Sequence, residues 1–269
     1  MTTNGAGPTL TTVRVRPWAL AIPIAAGRIT RRCYRFARHR VFLAARRFAY
    51  RSGAVSWFDR RVLARVGLGA FIRHTNNTEG VTWLGQPIWQ NIADAWTLQE
   101  LISERRPDVI VECGTFKGGS SFFMATLLDA LGKGLVLTVD YTDHGVVATH
   151  PRVRYLHGSS VDPATVRTIA MAVAAEAPGE VMVVLDSDHT KAHVLGELRA
   201  YAPLVPVGGY VVVQDGLVDI LFSLRDARPG PLAAVRQFVR ENPGFVVDEE
   251  RSAKFLYHSS PKGVLRRVR

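Results

Sequence analysis

The chain has 269 residues, of which 47% are hydrophobic and 21% charged, the composition of a folded core rather than of a disordered or fibrous protein. Its two cysteines, Cys33 and Cys113, exclude a disulfide framework and a four-cysteine metal site and suit a reducing cytoplasm. The net charge of +11 is unevenly placed: residues 1–75 hold 15 arginines against the single acid Asp59, which leaves 19 basic and 22 acidic residues for the remainder, so the body of the protein is not a basic nucleic-acid binder.

Residues 1–12 are rich in Thr, Gly and Asn, have little to bury, and are expected to be disordered. The run "WALAIPIAAG" (18–27) is too short to cross a bilayer, which takes about 18 apolar residues. Pro23 breaks it, and Arg28, Arg31 and Arg32 follow where a cleavage site would be needed, so export is not expected. Between 28 and 51, helical spacing brings Ile29, Cys33, Phe36, Ala37, Leu43, Ala44 and Phe48 to one face. Arg28, Arg31, Arg32, Arg35, Arg38 and Arg46 gather on the other, although Arg40 and Arg47 interrupt the apolar side. Residues 1–75 therefore form an Arg-rich helical extension, and residues 14–51 are expected to touch the inner membrane face of a cytoplasmic protein. An oligomer contact is the alternative use of the same face.

From about residue 76 the texture changes. "GVTWLGQPIWQNIADAWTLQELI" (80–102) carries three tryptophans. Trp96 is expected to pack a helix onto a sheet, while Trp83 and Trp89 suit either packing or an acceptor pocket. Beyond it, "DVIVECG", "LVLTVD", "VRYLHGS", "EVMVVLD" and "GYVVVQD" read as buried strands, separated by helix-length stretches at 119–131, 162–176 and 190–202. That alternation predicts an α/β domain over 76–269, with a parallel sheet and helices on both faces. A helix near 231–241 follows, and "GFVVDEE" and "KFLYHSS" suit an antiparallel pair at the sheet edge.

Ligands of open α/β sheets bind beyond the carboxyl ends of the strands. The loop Gly114-Thr115-Phe116-Lys117-Gly118-Gly119 lies at such an end, before a helix starting near Ser120. Its glycines admit a ligand to the backbone, and the free N–H groups of a helix start favour an anion or carboxylate. The spacing is neither the G-x-G-x-x-G of dinucleotide binders nor a P-loop, which disfavours nucleoside triphosphates. Glu112 ends the first strand and Asp140 the second, where a carboxylate can accept both hydroxyls of a ribose. Ser159 and Ser160 end a third strand, either beside an adenine or as a helix cap.

"ECGTFKGGSS", "HPRVRYLHGSSVDP", "VMVVLDSDHTKAHVLGELRAYAPLV" and "GVLRRVR" resemble the cephalosporin hydroxylase / rhamnosyl O-methyltransferase family over roughly residues 80–269. The resemblance implies a seven-stranded Rossmann-like methyltransferase sheet that binds S-adenosylmethionine. It places the methionine part of the cofactor on the opening loop (Gly114, Lys117, Gly118, Gly119, Ser120), the ribose on Asp140, and the adenine near Ser159 or Ser160.

Two further strand ends carry acids, Asp186 and the pair Gln214-Asp215. If these strands are neighbours, Asp186 and Asp215 face each other, and oxygen ligands with room for water suit Mg²⁺. The resembled family has Glu-Asp where this chain has Gln214-Asp215, so one negative charge is missing from the expected ligand set Asp186, Gln214 and Asp215. His189, three residues after Asp186, is the expected general base. Asp188 is expected to be a supporting acid or a helix cap, and His193 a helix-surface or packing residue. None of the eight histidines is followed two places on by Asp or Glu, which leaves iron oxygenase chemistry unsupported. The reading is an S-adenosylmethionine-dependent O-methyltransferase acting, with Mg²⁺, on a sugar hydroxyl of a glycolipid or glycosylated natural product, expected as a homo-oligomer. An RNA methyltransferase guided by the basic N-terminus, or a cofactor-binding scaffold without turnover, are the competing readings.

Overall fold

Val109, Val111 and Cys113 alternate with Ile110 and Glu112, and all five are buried, as a strand covered on both faces requires. This strand is the centre of a computed structural model that describes residues 81–255 and 257–269. The expectations for residues 1–75, including the helix at 28–51 and the boundary at 76, lie outside the described residues. In chain order the elements begin with a hairpin of β1 (Thr82–Trp83) and β2 (Gln86–Pro87), then helix α1 (Ile92–Arg105) and β3 (Val109–Cys113). They continue with α2 (Gly119–Leu131), β4 (Leu135–Asp140), β5 (Val153–His157), α3 (Pro163–Ala175) and β6 (Val181–Leu185). The last are α4 (Lys191–Tyr201), β7 (Tyr210–Val213), α5 (Pro231–Glu241), β8 (Phe245–Val247), the short α6 (Glu249–Ser252) and β9 (Val264–Arg267).

Seven strands form one sheet in the order β5-β4-β3-β6-β7-β9-β8. The first five are parallel, with Ile110 opposite Val136 on one side and Met182 on the other, and β9 pairs antiparallel with both β7 and β8. The two faces follow from residue parity. Val109, Val111, Val183 and Leu185 join a core with Ile169 and Val173 of α3, Leu198 and Tyr201 of α4, and Val235 and Phe238 of α5. Ile110, Met182 and Val184 join the opposite core with Leu98, Leu101 and Ile102 of α1 and Phe123, Met124 and Leu128 of α2.

Two expectations need correction. The partner of β8 in the antiparallel pair at the sheet edge is not "KFLYHSS" but β9, ten residues further on, and β8, within "GFVVDEE", is the outermost strand. Gly263 lets the backbone close on β7, since a Cβ there would lie 2.0 Å from the Val213 carbonyl oxygen, and Val264 and Leu265 each fill one of the two cores. Trp96 does not pack onto the sheet and is 55% exposed. The buried stripe of α1 runs through Asp94, Thr97, Leu98, Leu101 and Ile102, and Trp96 falls outside that stripe. No helix among the described residues is long and apolar enough to cross a membrane.

Candidate active site

The chain leaves β3 toward β4 on one side and returns through β6 on the other, so β3 and β6 flank the reversal of strand order where α/β proteins hold ligands. A cavity of about 550 Å³ opens there. Gly114 begins its floor with φ +100°, and a Cβ at this position would stand 2.1 Å from the Asp186 carbonyl oxygen. Only glycine allows that approach of the β3 loop to the β6 end. Gly118, at φ 82°, precedes α2 with no side-chain cap, which leaves the first N–H groups of the helix free. Asp140 accepts from the backbone N–H of Phe116 at 2.9 Å through Oδ2 and of Thr142 at 2.9 Å through Oδ1, so its carboxylate is aimed before a ligand arrives. Thr115, Phe116, Lys117, Gly119, Ser120, Asp140 and Ser159 all line the cavity.

Its other end is acidic. Asp186 follows β6 and Asp215 follows β7, and His189 stands between them, with Nε2 3.4 Å from Asp186 Oδ1 and 3.2 Å from Asp215 Oδ2. One ligand atom from each of the three lies within 4.8 Å of the others, a spacing able to hold a metal ion. Burial pushes the Asp186 carboxyl up to about 7 against the pull of His189, with the Asp215 charge adding to the rise. Burial raises Asp215 too. Burial alone would lower His189, but the bond to Asp186 and the charge of Asp215 outweigh it and carry the imidazole to about 9. The site is short of positive charge, and its donor set of two carboxylates and an imidazole suits a divalent cation.

A model of the rhamnosyl O-methyltransferase/CmcI family matches residues 75–268. The chain belongs to this family. The rhamnosyl O-methyltransferase of Mycobacterium tuberculosis is 35% identical over 189 residues, covering 68% of this chain and 77% of that one. The Mycobacterium leprae protein of the same name is 32% identical over 188 residues, covering 68% and 82%. Among solved structures, CmcI in its apo form superposes over 71% of this chain and 77% of its own with a TM-score of 0.55 at 18% identity. A structure of CmcI with Mg and S-adenosylmethionine gives 0.53 at 17% identity, over 71% and 78%. At such identity the likeness is one of fold. By class the chain is an S-adenosylmethionine-dependent O-methyltransferase.

In the methyltransferase several expected site residues lie off the cavity lining or have other side-chain partners. Glu112 does not line the cavity: it is fully buried, accepts the Ser120 hydroxyl at 2.5 Å and also that of Ser121, and burial raises its carboxyl despite those bonds. Through these bonds it anchors the start of α2. Gly118 turns the chain and is likewise off the lining. Gln214 is only 5% exposed, lines no part of the cavity and leaves Nε2 without a partner, while the side chains that meet at the acidic end of the cavity are Asp186, His189 and Asp215. Gln214 and Asp215 both lie just past the end of β7, and Asp215 turns into the left-handed region at φ 53°, so the two neighbouring side chains leave the backbone in different directions. Ser160 lines the cavity, yet its hydroxyl donates to Glu197 Oε1 at 2.5 Å and stands 2.9 Å from His193 Nε2. His193, expected at the helix surface or in packing, is thus held by polar partners. It reaches the cavity, and its bond to Glu197 raises its pKa. Asp188 accepts from the Thr190 N–H at 2.7 Å, while Thr190 itself caps α4.

Sequence reasoning missed three groups. Glu197, fully buried on α4, also accepts from Ser187 at 2.5 Å and so ties the ends of β5 and β6 to the helix. Its signal is an acid on the buried stripe of a helix. Phe116 and His144 form an aromatic rim with Trp89, the ring centroids standing 5.0 Å apart for Trp89–Phe116 and 4.7 Å for Phe116–His144. Trp83, by contrast, packs edge-on to Phe123 and donates to Thr126 Oγ1 at 2.8 Å. The third is Gln90, whose amide reaches Asp186 across 96 positions of sequence.

Proposed function

We propose that the enzyme methylates a hydroxyl of a rhamnosyl-type sugar on a glycolipid or glycosylated natural product, with a Mg²⁺ ion held by the carboxylates of Asp186 and Asp215 and with His189 beside them as the base. The observation that carries this reading is the convergence of those three groups at the end of a cavity whose other end is the glycine loop and Asp140. The relatives named for rhamnosyl O-methylation, and the related fold that holds Mg and S-adenosylmethionine, support it.

In this reading Asp140 accepts the ribose hydroxyls, and the loop from Gly114 to Ser120 cradles the methionine part of the cofactor with its free N–H groups. Ser159 borders the adenine end. A divalent cation at the acidic end supplies a Lewis acid that lowers the pKa of the acceptor hydroxyl. His189 Nε2 is the nitrogen placed to take the hydroxyl proton, once the charges that hold its own proton are screened. As the oxygen bonds to the methyl carbon, the carbon–sulfur bond breaks and S-adenosylhomocysteine leaves. Trp89 and Phe116 narrow the mouth and exclude water from the reacting atoms. A lipid-linked acceptor would give the arginines of residues 14–51 a task, since they would hold the enzyme at an anionic surface.

The test is incubation of the full chain with methyl-labelled S-adenosylmethionine and an aryl α-rhamnoside, followed by mass spectrometry. A methylated rhamnoside is expected, lost with EDTA or Asp186→Asn and restored by Mg²⁺ only in the wild type. Undiminished turnover in excess EDTA, or no product from sugar acceptors, would overturn the reading.

A further inference from the structure

The segment before α1 reaches the acidic end of the cavity. Ile88 is buried in the core, and its N–H donates to the Val81 carbonyl at 2.9 Å. The Pro87 carbonyl oxygen lies so close to α2 that a Cβ on Gly119 would stand 2.2 Å from it. Asn91, on the other side, caps α1 by accepting from the Ala93 N–H at 2.9 Å. Gln90 is thus held between a core residue and a helix cap, and it is 4% exposed. From there its Nε2 donates to Asp186 Oδ2 at 2.8 Å. An ionised carboxylate only accepts, so the amide must turn its nitrogen to Asp186 and its oxygen away. That oxygen is buried without a partner, an arrangement kept at a cost in hydrogen bonding.

We infer that Gln90 is a positioning residue for the cation: it fixes one oxygen of Asp186 so that the other, Oδ1, faces His189 and Asp215. This rests on the metal reading given above and adds to it a residue outside the acid cluster itself. The bond removes the rotation of the Asp186 carboxylate about its last torsion, which is broad for this side chain. Without Gln90, the carboxylate would have to be ordered when the ion binds, and that cost would come out of the binding free energy. Among the described residues the side-chain hydrogen bond of Gln90 goes to Asp186, and Gln90 does not line the cavity that holds the glycine loop and Asp140, so its effect should be confined to the cation.

The experiment uses Mn²⁺ as the probe, read by electron paramagnetic resonance on the full chain, with S-adenosylhomocysteine binding measured alongside by calorimetry. Gln90→Met keeps the volume and removes the donor, and Gln90→Ala removes both. Both variants are expected to weaken Mn²⁺ binding by roughly 10–100-fold, the usual range for losing a hydrogen-bond partner of a metal ligand. S-adenosylhomocysteine affinity should stay at the wild-type level. Wild-type Mn²⁺ affinity in Gln90→Met would overturn the inference and leave the metal reading standing. Loss of S-adenosylhomocysteine binding in both variants would overturn it as well, by making Gln90 a support of the whole pocket. A wild type that binds no Mn²⁺ would overturn the metal reading and the inference together.

Discussion

Asp140 shows what one side chain contributes before any ligand is present. Its two oxygens already accept from Phe116 and Thr142, so the carboxylate is aimed and retains lone pairs for ribose hydroxyls. Asp140→Ala is expected to weaken S-adenosylmethionine binding by roughly 1.5–3 kcal/mol, the range for hydrogen bonds to a charged group, as calorimetry would show. An unchanged affinity would move the ribose elsewhere. His189 makes a second case. Without a cation, its position between Asp186 and Asp215 keeps the imidazole protonated up to about 9. Because this folded value lies above the ordinary 6.5, the stabilisation is fully present below about 6.5 and is lost as pH rises through about 9. A base that holds its proton cannot accept another, so the cluster gains base chemistry only when a cation screens the carboxylates. An NMR titration of His189 is expected to give a midpoint well above neutrality in metal-free protein and a lower one with Mg²⁺. A metal-free midpoint at the ordinary histidine value would remove the ion-pair account of this site.

The elements of the site depend on close backbone approach. Gly114 is the tightest point, with a positive φ and no room for a Cβ against the Asp186 carbonyl. Gly132, which ends α2 at φ +74°, has open space around it. Alanine at either position meets the left-handed backbone penalty, on the order of 1–2 kcal/mol. Only Gly114→Ala must also push the β6 end away. Denaturant unfolding is therefore expected to show a larger loss for Gly114→Ala, with weakened Mn²⁺ binding, and a smaller loss for Gly132→Ala with metal binding intact. Equal losses in the two variants would mean that the loop and the β6 end move together freely. Much of this was legible in the residue order. The helix-length stretches at 119–131, 162–176 and 190–202 match α2, α3 and α4 to within a residue or two at each end, because caps and periodicity are local. The last strand, β9, was not, because "KFLYHSS" and "GVLRRVR" are alike in β propensity. Which one pairs with β7 is decided by the space Gly263 leaves against Val213, a contact 50 positions apart.

At the scale of the whole molecule, the charge is divided between a nearly acid-free extension and a slightly acidic body. If residues 14–51 bring the enzyme to a lipid-linked sugar, the full chain should bind anionic vesicles at low salt and release them at high salt. Each arginine near such a surface is worth about 1 kcal/mol, so replacing Arg28, Arg31, Arg32 and Arg35 with alanine should weaken binding by roughly several hundredfold. Methyl transfer to a soluble rhamnoside should be unaffected by those replacements. Vesicle binding that survives them would dismiss the membrane role, and a changed molecular mass in solution would assign the face to an oligomer contact.

The sequence by itself determined the α/β class, the glycine loop, the acid at the end of β4 and the acids after β6 and β7. Each of these is written in a short window, as an apolar run, a turn-forming glycine or a charge at a strand end. Only the tertiary structure decided which polar groups face the cavity. The turn at Asp215, in the left-handed region at φ 53°, separated its side chain from the buried Gln214, and α2 drew Glu112 beneath its first turn through Ser120 and Ser121. The fold also carried Gln90 to Asp186 and the buried Glu197 to Ser160 and Ser187. A side chain's partner across 37 or 96 positions leaves no mark in its neighbours along the chain, because that pairing is set by how helices and strands stack, and stacking is a property of the assembled core.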